Sequence, residues 1–164
     1  MSIKYELAED IMVRLHDITR VLGMEHVRLS GVYAIRSRGS GSSRTIARCH
    51  ALSKIWQLAL GIEAVYLIEV ITEKFDRMPR GEQDKVLIHE LMHIPLSFGG
   101  GFKHHDFVTH RNVDKIYEKY VQLKNSSGIN PEELGSLNPV NQVKNEIHKH
   151  EKNKQGQGNR WWSL

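Results

Sequence analysis

Five residues, His89-Glu90-Leu91-Met92-His93, combine two imidazoles and a carboxylate at a spacing suited to hydrolytic chemistry. On a helix, positions i and i+4 project from one face a turn apart. His89 and His93 can therefore grip one zinc ion without distorting the backbone. Glu90 is turned by roughly 100° around the helix, out of the ligand set and towards the water that such an ion would carry. A carboxylate there can take a proton from that water and later hand it to a leaving amine. The chemistry implied is zinc-assisted hydrolysis of an amide, with one zinc per chain. Ten histidines among 164 residues make an accidental match easier. The neighbours argue against accident: Val86, Leu87, Ile88, Leu91, Met92 and Ile94 are all uncharged, as a helix beneath a cleft requires.

Hydrolytic zinc needs a third protein ligand and one open position. Pro95 ends or kinks the helix near His93, and Gly99-Gly100-Gly101 then permit a sharp reversal. That reversal can return His104 or His105 to the metal. Adjacent residues rarely both ligate one ion, so the other is left as an oxyanion donor, an outer partner or an exposed side chain. Glu118, on a later helix, is a further candidate ligand. The HExxHxxGxxH pattern is absent, because Leu96 and Gly99 occupy its glycine and third-histidine positions. His110 reads as a solvated helix residue. Tyr117 is a candidate oxyanion donor that lies on an apolar helix face, and Asp106 and Asp114 are carboxylates available to orient the histidines.

These residues need elements to hold them. Leu7, Ile11, Leu15, Ile18 and Leu22 predict a helix over 6–22 that stops at Gly23. A strand is expected over 31–36, with 44–49 as its partner across a Gly39–Ser43 loop. A short helix is favoured over 53–60. The run Ala64–Ile71 is the clearest strand, read as an edge beside the active-site helix that can pair with an extended substrate. Helical segments follow over 72–78 and 82–93, interrupted by Pro79 and Gly81. A last core helix over 109–124 carries Val113, Ile116, Tyr117, Tyr120 and Leu123 on one face. The fold class expected is α+β, a small mixed or antiparallel sheet packed with helices. Residues 1–124 form the expected domain. From 125 to 164 the chain turns polar and reads as a tail, with a short helix after Asn138-Pro139, His148 and His150 solvent-exposed, and Trp161-Trp162 as a docking element.

The run Val86–Pro95, followed by Phe98-Gly99-Gly100-Gly101-Phe102-Lys103-His104-His105, resembles the zinc metallopeptidases of archaea and phages. It is similar, more distantly, to SprT-like zinc proteases. The likeness extends to Arg36–Ser40, Ala47-Arg48, Ile55–Gly61 and Tyr66–Ile71, and covers about residues 5–120. The resemblance implies a zincin-like domain, a protein or peptide substrate, Glu90 as catalytic base, and His105 as the histidine that follows the glycine turn.

Composition adds limits. One cysteine, Cys49, excludes an internal disulfide framework and suits a reducing compartment, where it reads as a small buried residue. No apolar run reaches the ~20 residues that cross a bilayer, and residues 2–6 lack an apolar signal region, so a cytoplasmic location without membrane contact is expected. Between Glu25 and Glu63 there is no acidic residue, yet Arg36, Arg38, Arg44 and Arg48 cluster there. A basic hairpin tip rich in hydroxyls can hold phosphate oxygens. SprT-like proteases act on DNA-bound proteins, so the resemblance gives nucleic acid as a secondary partner. The competing reading is a zinc-stabilised nucleic-acid-associated binding module with little or no catalysis. Such a module has no need of Glu90 and closes its metal with four protein ligands.

Overall fold

The computed structural model describes residues 2–126. The short helix after Asn138-Pro139, His148, His150 and Trp161-Trp162 lie outside the described residues, as does nearly all of the expected tail. The described chain is α+β. Strands β1 (Lys4–Leu7), β2 (Val32–Arg38), β3 (Ala47–Ala51) and β4 (Tyr66–Ile71) are interspersed with helices α1 (Glu9–Leu22), α2 (Lys54–Leu60), α3 (Thr72–Phe75), α4 (Arg80–Met92) and α5 (His110–Ser126), the last three following β4 in succession. The strands form one mixed sheet in the order β1-β2-β4-β3, with β2 and β4 parallel and the other pairs antiparallel.

The expected β2–β3 hairpin does not form. β4 inserts between the two strands, because its near-continuous apolar run suits a central strand better than an edge. Five of its six residues are buried. The role of edge strand beside the helices passes to β3, which starts three residues later than the sequence suggested. The first helix also begins later, at Glu9. Lys4–Leu7 pair with Ile35–Arg38 instead, since an available sheet edge outweighs weak local helix preference.

One stripe of α1, Ile11, Leu15 and Ile18, is fully buried against the sheet face formed by Val32, Ala34, Ile68 and Val70. Leu87, Ile88 and Leu91 bring α4 into the same core, and α5 packs on both helices. A buried polar clamp fixes how α4 lies on α1. The Arg14 guanidinium donates to Asp84 at 2.6 Å and to Gln83 at 2.6 Å, while Gln83 donates to the carbonyls of Phe75 and Met78. The helix that carries the HExxH motif is therefore pinned by its first turns. Among the described residues no helix is long and apolar enough to cross a membrane.

Candidate metal centre

Helix α4 ends where Pro95 predicts. His93 caps it, and the last turn tightens as His93 N–H donates to the Glu90 carbonyl at 3.2 Å. The chain then reverses through Phe98 (φ 46°) and Gly100 (φ 84°) and returns alongside the helix end. Lys103 N–H donates to the His93 carbonyl at 2.8 Å, and the Lys103 carbonyl lies 2.8 Å from His93 Nδ1. A carbonyl only accepts, so Nδ1 carries the hydrogen and Nε2 keeps its lone pair free.

That lone pair faces His89 Nε2 at 3.2 Å. The ring of His105 closes the third side, 4.8 Å from the His93 ring and 5.7 Å from that of His89. One nitrogen from each of the three residues can be chosen so that all lie within 4.8 Å of one another. Two nitrogens on a tetrahedral zinc, each ~2.0–2.1 Å from the ion, stand ~3.3 Å apart. The His89–His93 pair already has that spacing, so the donor set fits a zinc ion. Burial, with repulsion from His93, His105 and His110, pushes the His89 imidazole down to about 4. Burial also lowers His93, against its hydrogen bond to the Lys103 carbonyl and with repulsion from His105. Both rings are thereby held neutral, the form that ligates metal.

Glu90 is buried at 7 % exposure beside this cluster. Burial raises its carboxyl to about 7, and the main-chain N–H of Cys49 opposes the rise. The three histidines and Glu90 line a cleft of about 840 Å³ whose opposite wall is β3.

A family model described as "Putative phage metallopeptidase" matches residues 3–128. The chain belongs to that family. The match takes in every strand and helix described above, and with them the whole histidine cluster. No curated protein and no solved structure matches the chain.

In this phage metallopeptidase domain the other expected site residues separate. His104 is exposed on the cleft rim, outside the three-histidine group. Glu118 is exposed on α5 and also stands outside that group. His110, exposed as expected, opens α5 at the cleft and adds its charge to the field on His89. Tyr117 does not reach the cluster: it packs by Gly81, with the Lys85 ammonium 5.4 Å over its ring. Asp114 pairs with Lys85 at 3.1 Å, and the partner that orients His93 is a main-chain carbonyl. Cys49 is raised to about 12 by burial and by the Glu90 charge, which makes it an inert thiol.

The arginines do not form a basic tip. Arg36 is held between Asp10 and Asp76 at 2.6 Å each, and Arg38 pairs with Glu6 at 3.1 Å. Arg48 reaches Glu69 at 3.5 Å and, with Arg44, lines the cleft. Contact with nucleic acid gains no support from this arrangement.

Sequence patterns did not single out the clamp on the glycine turn. The buried Tyr66 hydroxyl donates to the Gly101 carbonyl and accepts from Gly100 N–H, both at 2.9 Å. Any Cβ on Gly100 would run into the Gln57 side chain and the Leu52 carbonyl. Tyr66 and Gln57 thus set the path along which the chain delivers His105. Tyr66→Phe should weaken zinc binding by about tenfold, in the range for lost outer partners of a metal site. Competition with a chromophoric chelator reads this directly. A lower Tm with unchanged zinc affinity would mean that the clamp only stabilises the fold.

Sheet geometry adds one more component. Ile71 N–H donates to the Ile46 carbonyl and Leu52 N–H to that of Val65. Opposed residues in an antiparallel pair alternate between bonded and non-bonded. Ala47, Cys49 and Ala51 therefore turn their N–H and C=O groups away from β4, towards the free edge.

Proposed function

We propose that this chain is a zinc-dependent endopeptidase in which His89, His93 and His105 hold the metal and Glu90 is the general base. The observation that carries the reading is the convergence of three imidazoles and one buried carboxyl group in a cleft bounded by a free strand edge. A zinc ion bound there supplies Lewis-acid polarisation of the attacking water and of the substrate carbonyl. Glu90 accepts the proton of that water and returns it to the departing amine, a two-way role suited to a carboxyl buried beside the three histidines. His93 is kept in its ligating tautomer by Lys103. The edge of β3 offers main-chain partners to an extended substrate at Ala47, at Ala51 and at the Cys49 carbonyl, while the Cys49 N–H is held by Glu90. His104, on the rim, is available as a second donor to the oxyanion.

A zinc-stabilised nucleic-acid-binding module would close its metal with four protein ligands. Among the described residues the cluster contains three such residues, and a general base beside them would serve no purpose in a closed site.

The test is hydrolysis of fluorophore-labelled casein by chelator-stripped protein, before and after stoichiometric zinc. Cleavage that depends on added zinc is expected. Binding of one zinc per chain with no cleavage of casein or of unfolded peptides would overturn the peptidase assignment.

A further inference from the structure

The edge of β3 also carries side chains, and they divide sharply by face. Ala47, Cys49 and Ala51 stand opposite Val70, Ile68 and Tyr66 on the face covered by the helices. Arg48 and His50 stand opposite Glu69 and Leu67 on the other face. Arg44 precedes the ladder at one end of the cleft wall, and the same cleft is lined by Arg48 and His50. A peptide strand added to this edge continues the alternation. Its residues on the helix side lie over small side chains, with room for bulk. Its residues on the other side come beside Arg48 and His50.

Glu69 gives that pair a fixed position. It is 3 % exposed in the central strand, a costly place for a carboxylate unless it is paired. Burial raises its carboxyl, and the Ser37 hydroxyl, the hydrogen bond from His50 and the charge of Arg48 together bring it below the ordinary value. His50 Nε2 lies 2.8 Å from Glu69 and Arg48 3.5 Å, yet both side chains stay 40–47 % exposed. One guanidinium N–H directed at Glu69 leaves four donors for a second carboxylate. Arg44 has no ion-pair partner among the described residues. Lys85, also on the cleft wall, is already taken by Glu82 and Asp114. Two arginines against one buried carboxylate leave a net positive edge.

We propose that this edge selects extended peptides with acidic side chains, which Arg44, Arg48 and His50 receive on the face of β3 away from the helices. The inference rests on the peptidase reading for what happens next, but not for binding. A peptide is favoured over nucleic acid because the cations free to act stand along a strand edge inside the cleft. Those that a phosphate backbone would need on the surface, Arg36 and Arg38, are neutralised by Asp10, Asp76 and Glu6.

The experiment uses the full zinc-loaded chain in the Glu90→Gln background, with fluorescence anisotropy as the readout. The probes are a short labelled peptide with Asp and Glu at alternate positions, its Asn/Gln counterpart, and a single-stranded oligonucleotide of equal charge. The acidic peptide should bind about tenfold more tightly than its amide counterpart. Arg44→Gln and Arg48→Gln should each shrink that ratio. Arg48→Gln removes a partner of buried Glu69, so Arg44→Gln carries the test if the former fails to fold. Equal binding of the two peptides would overturn the proposal. So would tighter binding of the oligonucleotide that is lost in the same variants. Cleavage by the chain with Glu90 intact separates the two readings. Acid-selective binding without hydrolysis leaves the inference standing and removes the peptidase. Hydrolysis with no acidic preference does the reverse.

Discussion

Glu90→Gln should retain zinc and lose hydrolysis by about 10²–10⁴-fold, the usual contribution of a positioned general base. Glutamine fills the same volume and still accepts a hydrogen bond from the Cys49 N–H, but its amide cannot take a proton from water. The side chain is buried, so exchange of a carboxyl for a neutral amide brings no charge into the core, and Tm should not fall. No group among the three ligating histidines can substitute, since their free nitrogens are committed to the metal in this reading. Cys49 is too weakly acidic to replace it. The measurement is zinc content, thermal melting and casein turnover on the same preparation. Full activity in the variant would place the base elsewhere, whereas loss of zinc would show Glu90 to be a ligand.

The readable part of this molecule was the part where short-range chemistry dictates spacing. His89, Glu90 and His93 depend only on helical periodicity, and Pro95 and the glycine run announce their own backbone consequences. α5 was legible as a helix, although of its expected apolar face only Val113 and Tyr120 are buried and Leu123 is exposed. In α1, Ile11, Leu15 and Ile18 form the buried stripe, while Leu7 is an exposed strand residue. Strand order was not. A hairpin is the nearest guess for two strands joined by a Gly/Ser loop, and only the sheet as a whole decides that β4 belongs between them. That misplacement carried a consequence for the site, since the edge beside the active-site helix was assigned to β4 and the strand found at that edge is β3. Arg36 illustrates the same limit. Its neighbours in sequence are basic, but its partners Asp10 and Asp76 come from distant segments, so the charge of a run read as a free basic patch is partly offset by surface ion pairs. Tyr66 was hidden for a related reason. As the first residue of an apolar strand it looks like core, and its hydroxyl finds the turn at Gly100-Gly101 only in three dimensions.

The adjacent pair His104-His105 gives the sharpest division between neighbouring variants. His89→Ala, His93→Ala and His105→Ala should each weaken zinc binding by more than ~100-fold, beyond the range for lost outer partners. His104→Ala should change it by no more than a few-fold. The turn explains the asymmetry. Two hydrogen bonds tie Lys103 to His93, which fixes the chain direction at the residue before the pair. From that anchor, His105 enters the cluster while His104 stays on the rim. His104→Ala then becomes informative about catalysis: a fall in kcat with KM and zinc affinity unchanged would identify it as a donor to the oxyanion. Isothermal titration on all four variants, each checked for folding by circular dichroism, decides the ligand set. Loss of zinc on removal of His104 with retention on removal of His105 would require the turn to approach the metal in the other register. The Tyr66 clamp would then hold a path that the metal-bound protein does not use.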